Sequence, residues 1–334
     1  MRLTRMLALG ASLLVLASAC TTGGGSTPSP SATATAPPSA TAPATPTPAP
    51  ATPTPEPPKP TVRIGSAGFY EAQLVAEIYA QVLEADGFSV ERHLGLGTRP
   101  IIEEALAGGQ VDMLPEYIGS TLEFFNGGKG EASGDSAATA ARLQEYYTPK
   151  GVTVLLYTPG QDQNGFAVRQ ETADAFSLAR MSDLAAVAGQ LVLGAPPECE
   201  TNPVCLPGLK SVYGIEFKEF KPLSACAADG IIALNEKAID VYEVCTTQPG
   251  IAQFGLVLLV DDKHLQPAEN IAPVVRDDFL AKVPKPDDFK ALLNSVSQRL
   301  TTDVLLELGV KVDVDKRDVA DVATEWLKAE GVIP

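Results

Sequence analysis

VRIGSAGFYEAQLVAEIYAQVLEADGFSVERHLGLGTRPIIEEALAGGQVDML, residues 62–114, decides the architecture. Residues 62–66 read as a short strand. Residues 69–86 carry Leu74, Val75, Ile78, Tyr79, Val82 and Leu83, the stripe of an amphipathic helix. Gly87 follows as a helix stop. Residues 89–94 alternate as a strand, 99–107 read as a helix closed by Gly108-Gly109, and 111–114 read as a strand. A helix over 137–147 and a strand over 152–157 come next. This β-α-β-α-β order predicts an α/β fold with a mainly parallel sheet.

The second half repeats that logic. A short helix is expected at 184–187, strands at 190–194, 238–244 and 254–260, and helices at 231–236, 287–300 and 319–330. Two similar lobes predict a cleft between them, with a ligand beyond the carboxyl ends of the strands.

Working outward from the folded part, residues 1–19 read as a signal peptide. Arg2 and Arg5 precede an apolar stretch at 6–17, too short for the roughly 20 residues that span a bilayer. Ala17-Ser18-Ala19-Cys20 resembles a bacterial lipobox, with Ala17 where the usual motif has Leu. That resemblance implies a lipid on Cys20 and an extracytoplasmic, membrane-anchored protein. Residues 20–61 are a Thr/Pro/Ala-rich linker holding 13 of the 28 prolines. It has nothing to bury and is expected to stay unfolded. At about 3.1 Å per residue it can reach on the order of 100 Å.

The formal net charge of −16 argues against nucleic acid, whose binding needs clustered Lys and Arg. Apart from Cys20 there are four cysteines, an even number suited to disulfides in an oxidising compartment. Three pairings are possible; the expected one, local in sequence, joins Cys199 to Cys205 and Cys226 to Cys245. No metal is expected, because the C-x-x-C spacing is missing and the histidines are only His93 and His264. No phosphate-loop, nucleophile-elbow or zinc-protease motif occurs, so neither an enzyme nor a cofactor is expected.

Several segments together resemble the substrate-binding proteins of ABC transporters for glycine betaine, choline and carnitine. They are Ile64-Gly65-Ser66 with Phe69 and Glu71; Leu96-Gly97-Thr98; Val111-Asp112 through Pro115-Glu116-Tyr117-Ile118-Gly119; residues 162–168, DQNGFAV; Leu206-Pro207-Gly208-Leu209 with Val212-Tyr213-Gly214; and Asp261-Asp262-Lys263-His264. The resemblance implies a two-lobed periplasmic-binding-protein fold of type II. One lobe would take residues 62–164 plus 270–334, the other 165–269. It also implies a monomeric receptor that closes on a quaternary ammonium solute and hands it to a permease. A receptor for a different cationic or amino-acid-like solute, or a sensor or adhesion lipoprotein on the same fold, is the alternative.

The family holds its ligand over aromatic faces, chiefly tyrosines. Tyr117 matches one of these directly, and Phe166 falls near a second. Asn164 is expected as a polar contact or hinge residue. Tyr70 stands where relatives have Thr and could replace an aromatic lost elsewhere. Thr98 could cap its helix at the cleft. Thr246 and Thr121 are further polar candidates. Relatives carry an aromatic where this chain has Cys245, and Tyr near Glu269. An arginine that meets a ligand carboxylate in some relatives has no match. More carboxylates and fewer positive groups suit a cation such as choline over a zwitterion.

Overall fold

The computed structural model describes residues 57–224 and 226–334. The signal peptide, Cys20 and most of the linker lie outside the described residues. Ten strands occur among those described: β1 (Val62–Gly65), β2 (Val90–His93), β3 (Met113–Tyr117), β4 (Val152–Val154), β5 (Asn164–Val168), β6 (Val192–Ala195), β7 (Glu219–Pro222), β8 (Val241–Cys245), β9 (Val257–Leu259) and β10 (Ile271–Arg276). They form two five-stranded sheets, ordered β2-β1-β3-β10-β4 and β7-β6-β8-β5-β9.

In the first sheet β2, β1 and β3 are parallel, and β10 is antiparallel to both β3 and β4. In the second, β7, β6 and β8 are parallel, and β5 is antiparallel to both β8 and β9. Each sheet therefore has one reversed strand, and each is the first strand after the chain crosses from the other sheet. A strand entering from the crossover must run away from it. The other four strands of each sheet run toward the crossover, so their carboxyl ends face the other lobe.

Helices α1 (Tyr70–Ala85), α2 (Arg99–Ala107), α3 (Ile118–Asn126) and α4 (Ser136–Tyr147) follow the first strands. Alternation along β3 sends Met113 and Tyr117 to one face of the first sheet and Leu114 to the other. The first face packs against α1 and the helices Pro286–Ser297, Thr302–Gly309 and Val319–Ala329; the second packs against α2, α3 and α4. Leu74, Ile78, Tyr79 and Leu83 of α1 are fully buried, and Tyr79 hydrogen-bonds Ser297 at 2.8 Å. At the far end of α1, Lys59 pairs with Asp86 at 2.6 Å and lies 4.6 Å from the Phe88 ring centre.

The expected helices over the first lobe occur within three residues of their bounds; the one expected at 287–300 ends at Ser297. The strand expected at 152–157 stops at Val154, and that at 111–114 is shifted onward to Met113–Tyr117. The helix expected at 184–187 is instead Met181–Leu184. Its Asp183 accepts from the backbone N–H of Ala179 and Arg180, which starts the turn earlier. β5, β7, β10 and α3 were not expected as elements.

Two segments connect the sheets, around residues 158–163 and 266–270. They pair with each other through an antiparallel bridge between Gln161 and Asn270. Thr158 N–H donates to Ile271 O at 2.8 Å, and Asn270 Nδ2 donates to Thr158 O at 2.8 Å. Gly119 lies where a Cβ would come within 2.5 Å of Ala268 O, so only glycine lets α3 approach this crossing. Thr246 ties the second sheet to it: its hydroxyl donates to Gln161 O at 2.8 Å and accepts from Gln163 N–H at 3.1 Å. The disulfides join Cys199 to Cys205 and Cys226 to Cys245.

Thr246→Val keeps the shape of this side chain but strands two backbone groups. It is expected to cost about 1–3 kcal/mol, read as a lower urea midpoint. An unchanged midpoint would show that these bonds do not secure the crossing.

Candidate ligand cleft between the two sheets

β1 ends at Gly65, and the loop after it is held against the loop after β2. Gly68 N–H donates to Gly97 O at 2.9 Å, and Gly95 N–H donates to Ser66 Oγ at 2.9 Å. This places Phe69, Tyr70 and Glu71 at the start of α1, where an acidic residue is favoured by the helix dipole. Glu71 is 1% exposed. Its Oε1 accepts from Tyr117 Oη at 2.6 Å, while its Oε2 has no hydrogen-bond partner. Burial raises its pKa to about 8, reinforced by the nearby Asp162 charge and tempered by Tyr117 and Thr247. Burial likewise pushes the Tyr117 hydroxyl well up, and the Glu71 charge adds to that. Glu71 is therefore the group of the pair that titrates near neutrality.

Asp162 comes from the first crossing segment. Burial raises its carboxyl; the Thr247 side chain and backbone N–H, the latter at 3.4 Å, hold it back. Phe69 leaves its ring 45% exposed, 5.7 Å from that of Tyr117. Tyr70 Oη donates to Thr247 O at 3.2 Å, a bond between the two sheets' ends. Arg99, the first residue of α2, donates from Nε to Glu116 Oε2 at 3.3 Å. That oxygen also accepts from Thr121 Oγ1 at 2.7 Å. Arg99 thus has one carboxylate beside its Nε. Across the cleft Glu269 accepts from Ser120 Oγ at 3.1 Å. Burial raises its pKa to about 7, offset in part by Ser120 and Arg99.

Three adjoining cavities occupy this cleft. One of about 280 Å³ is lined by Phe69, Arg99, Tyr117, Asp162, Asn164 and Glu269, among others. A second, of about 390 Å³, shares Phe69, Arg99 and Tyr117 and adds Thr98 and Glu116. A third, of about 500 Å³, shares Phe69 and Asp162 with the first and adds Tyr70 and Glu71. Asp162 and Phe69 stand where the first and third meet.

Of the residues singled out from sequence, Tyr117, Tyr70, Asn164, Thr98 and Glu269 all line these cavities. Four of the residues read from sequence sit otherwise than expected. Phe166 is 0% exposed and packs with Val168, Leu193, Val241 and Leu259 in the core of the second lobe. It lies two residues up β5 from Asn164, about 7 Å deeper from the cleft. Thr246 lines none of these cavities, its hydroxyl being used by the crossing. Thr98 is the N-cap of α2 by position, but its side chain makes no capping bond. Thr121 is fully buried against Glu116.

Phe69, Glu71, Asp162 and Arg99 were not singled out. Three of them stood inside the segments that carried the resemblance, but only the fold shows that their side chains meet. Cys199 and Cys205 lie beside Glu243, yet their sulfurs are bonded to each other and are not free to ligate a metal. Neither histidine lines the cleft cavities. Among the described residues, no helix is long and apolar enough to cross a membrane.

The model of the substrate-binding domain of ABC-type glycine betaine transport systems matches residues 60–329. The glycine-betaine-binding protein of Pseudomonas aeruginosa is 28% identical over 277 residues, covering 80% of this chain and 87% of its own length. The glycine betaine-binding protein YehZ of Escherichia coli is 27% identical over 280 residues, covering 81% and 90%. The solved structure of apo YehZ superposes with a TM-score of 0.73 at 26% identity, covering 81% of this chain and 99% of that one. A glycine betaine/carnitine/choline ABC transporter structure gives 0.74 at 24% identity, with the same coverage. The fold is the two-lobed type II periplasmic-binding fold. With crossing strands at its hinge, a cleft between its lobes and a family match along most of its length, the chain belongs to the substrate-binding domains of ABC-type glycine betaine transport systems.

Proposed function

We propose that this protein captures a small quaternary ammonium cation, of the choline class, between its lobes. The observation that carries this is the charge of the cleft. Glu71, Glu116, Asp162 and Glu269 face its cavities, and the one arginine there, Arg99, already answers Glu116. A cation entering this space supplies the charge that the buried carboxylates lack. A zwitterion would bring one more carboxylate into a lining already rich in them, where Arg99 is the one cationic side chain. Phe69, Tyr70 and Tyr117 supply aromatic faces, each worth about 0.5–2 kcal/mol to a cation. The relatives named for glycine betaine support the class of solute.

Closure is a hinge motion about the paired crossings near Gln161 and Asn270. The solute is bound and released without chemistry, then passed to a membrane permease. Cys20, lipidated, and the linker to residue 61 hold the receptor at the outer face of the membrane.

Three outcomes follow in calorimetry. Choline is expected to bind more tightly than glycine betaine; the opposite order would refute the cation preference. Binding a cation favours ionised Glu71, so affinity should rise with pH below about 8, by up to about tenfold per pH unit. Glu71→Gln should flatten that profile, and a steep profile surviving in it would place the proton elsewhere. The same group sets a stability trend. Its folded pKa exceeds the usual carboxylate value, so the folded state holds the extra proton, and stability falls as pH rises from about 4.5 to 8.

Tyr117→Ala should weaken choline binding by about 2- to 30-fold, the loss of one cation–π contact. Phe166→Ala should instead lower stability by about 3–5 kcal/mol while the folded protein keeps its affinity. Equal loss of affinity in both variants would return Phe166 to the ligand.

A further inference from the structure

The largest of the three cavities, about 500 Å³, has a character the small-cation reading does not use. Its outer wall is apolar: Ile231, Ile232 and Phe254 of the second lobe face Phe69 and Val314 of the first. Phe69, Ile232 and Phe254 are among the few large apolar side chains left substantially exposed, at 45%, 47% and 39%. Grouping them in one concavity marks a binding surface, where scattered exposure would not.

The polar lining is one-sided. Glu71, Asp162 and Asp313 contribute carboxylates, and no Lys, Arg or His lines the cavity. The buried side-chain atoms there without a partner are both acceptors, Glu71 Oε2 and Gln248 Oε1. The wall is also fixed before any ligand arrives. Cys245, at the end of β8, is bonded to Cys226, just ahead of the helix Ala228–Asn235 that carries Ile231 and Ile232. A wall held in place costs a ligand less ordering.

We propose that this cavity receives the apolar substituent of a larger quaternary ammonium ion, whose nitrogen sits by Asp162 and Phe69, where the cavity joins the Tyr117–Glu269 cavity. This rests on the quaternary-ammonium reading above and narrows it: alkyl- or aryl-substituted trimethylammonium ions are the preferred class, choline a minimal member. The volume agrees, since cavities of about 300–1,000 Å³ are those that enclose ligands larger than a bare ammonium head.

The test is calorimetry on the protein with tetramethylammonium, choline, butyltrimethylammonium, hexyltrimethylammonium and benzyltrimethylammonium. Affinity should climb from tetramethylammonium to the butyl ion by about threefold or more per methylene buried. The benzyl ion should match or exceed the butyl ion. The double variant I232S/F254S, altered at two exposed positions, should lose that gain and keep the affinity for tetramethylammonium. Tetramethylammonium and choline binding with no gain along the series would overturn this inference alone. So would a gain that survives in the double variant. Failure of every ammonium ion to bind would overturn the underlying reading and this inference with it.

Discussion

The pairing of the two crossing segments governs the rest of the molecule. Gln161 bridges Asn270, and Thr158 and Thr246 take up the polar groups around them. Because the chain passes between lobes only there, each lobe must accept one strand that runs outward from the crossing. That reversed strand, β10 or β5, leaves the other four pointing their carboxyl ends at the gap. The loops that follow those ends, and the helix starts beyond them, then converge on one space. Phe69, Glu71, Thr98, Arg99, Tyr117, Asp162 and Glu269 each lie at such a helix start, at a strand end or on a crossing segment.

What fills that space is an unbalanced set of charges. Burying carboxylates without partners is costly, and the protein meets the cost by keeping protons on Glu71 and Glu269 further into the neutral range than usual. The aromatic rings of Phe69 and Tyr117 sit among them. A permanently charged, weakly hydrated guest of the kind proposed would offset that cost.

Much of this was legible in the sequence, and the reasons for the gaps are physical. α1 and α2 announce themselves because their buried faces repeat at the helical period over nine residues or more. β5 and β10 are short, buried on both faces and carry no alternation, so nothing local separates them from a buried helical turn. Tyr117 was readable from its segment. Phe166 was misplaced because the same segment contains both the cleft end and the core end of one strand, and two residues decide which. Asp162 and Glu71 were two of 41 acidic residues until the crossing brought them together.

The grip of Lys59 on Asp86 and Phe88 acquires a mechanical meaning in this setting. Those residues lie at the end of α1 opposite Tyr70 and Glu71, some 24 Å away along the 16-residue helix. A load applied at Lys59 would therefore meet the first lobe at its rear, on a helix sunk in the core. Under the proposed closure, that lobe would be the stator and the second lobe the moving jaw. If the receptor is tethered as proposed, the hold falls on the end of α1 away from the cleft.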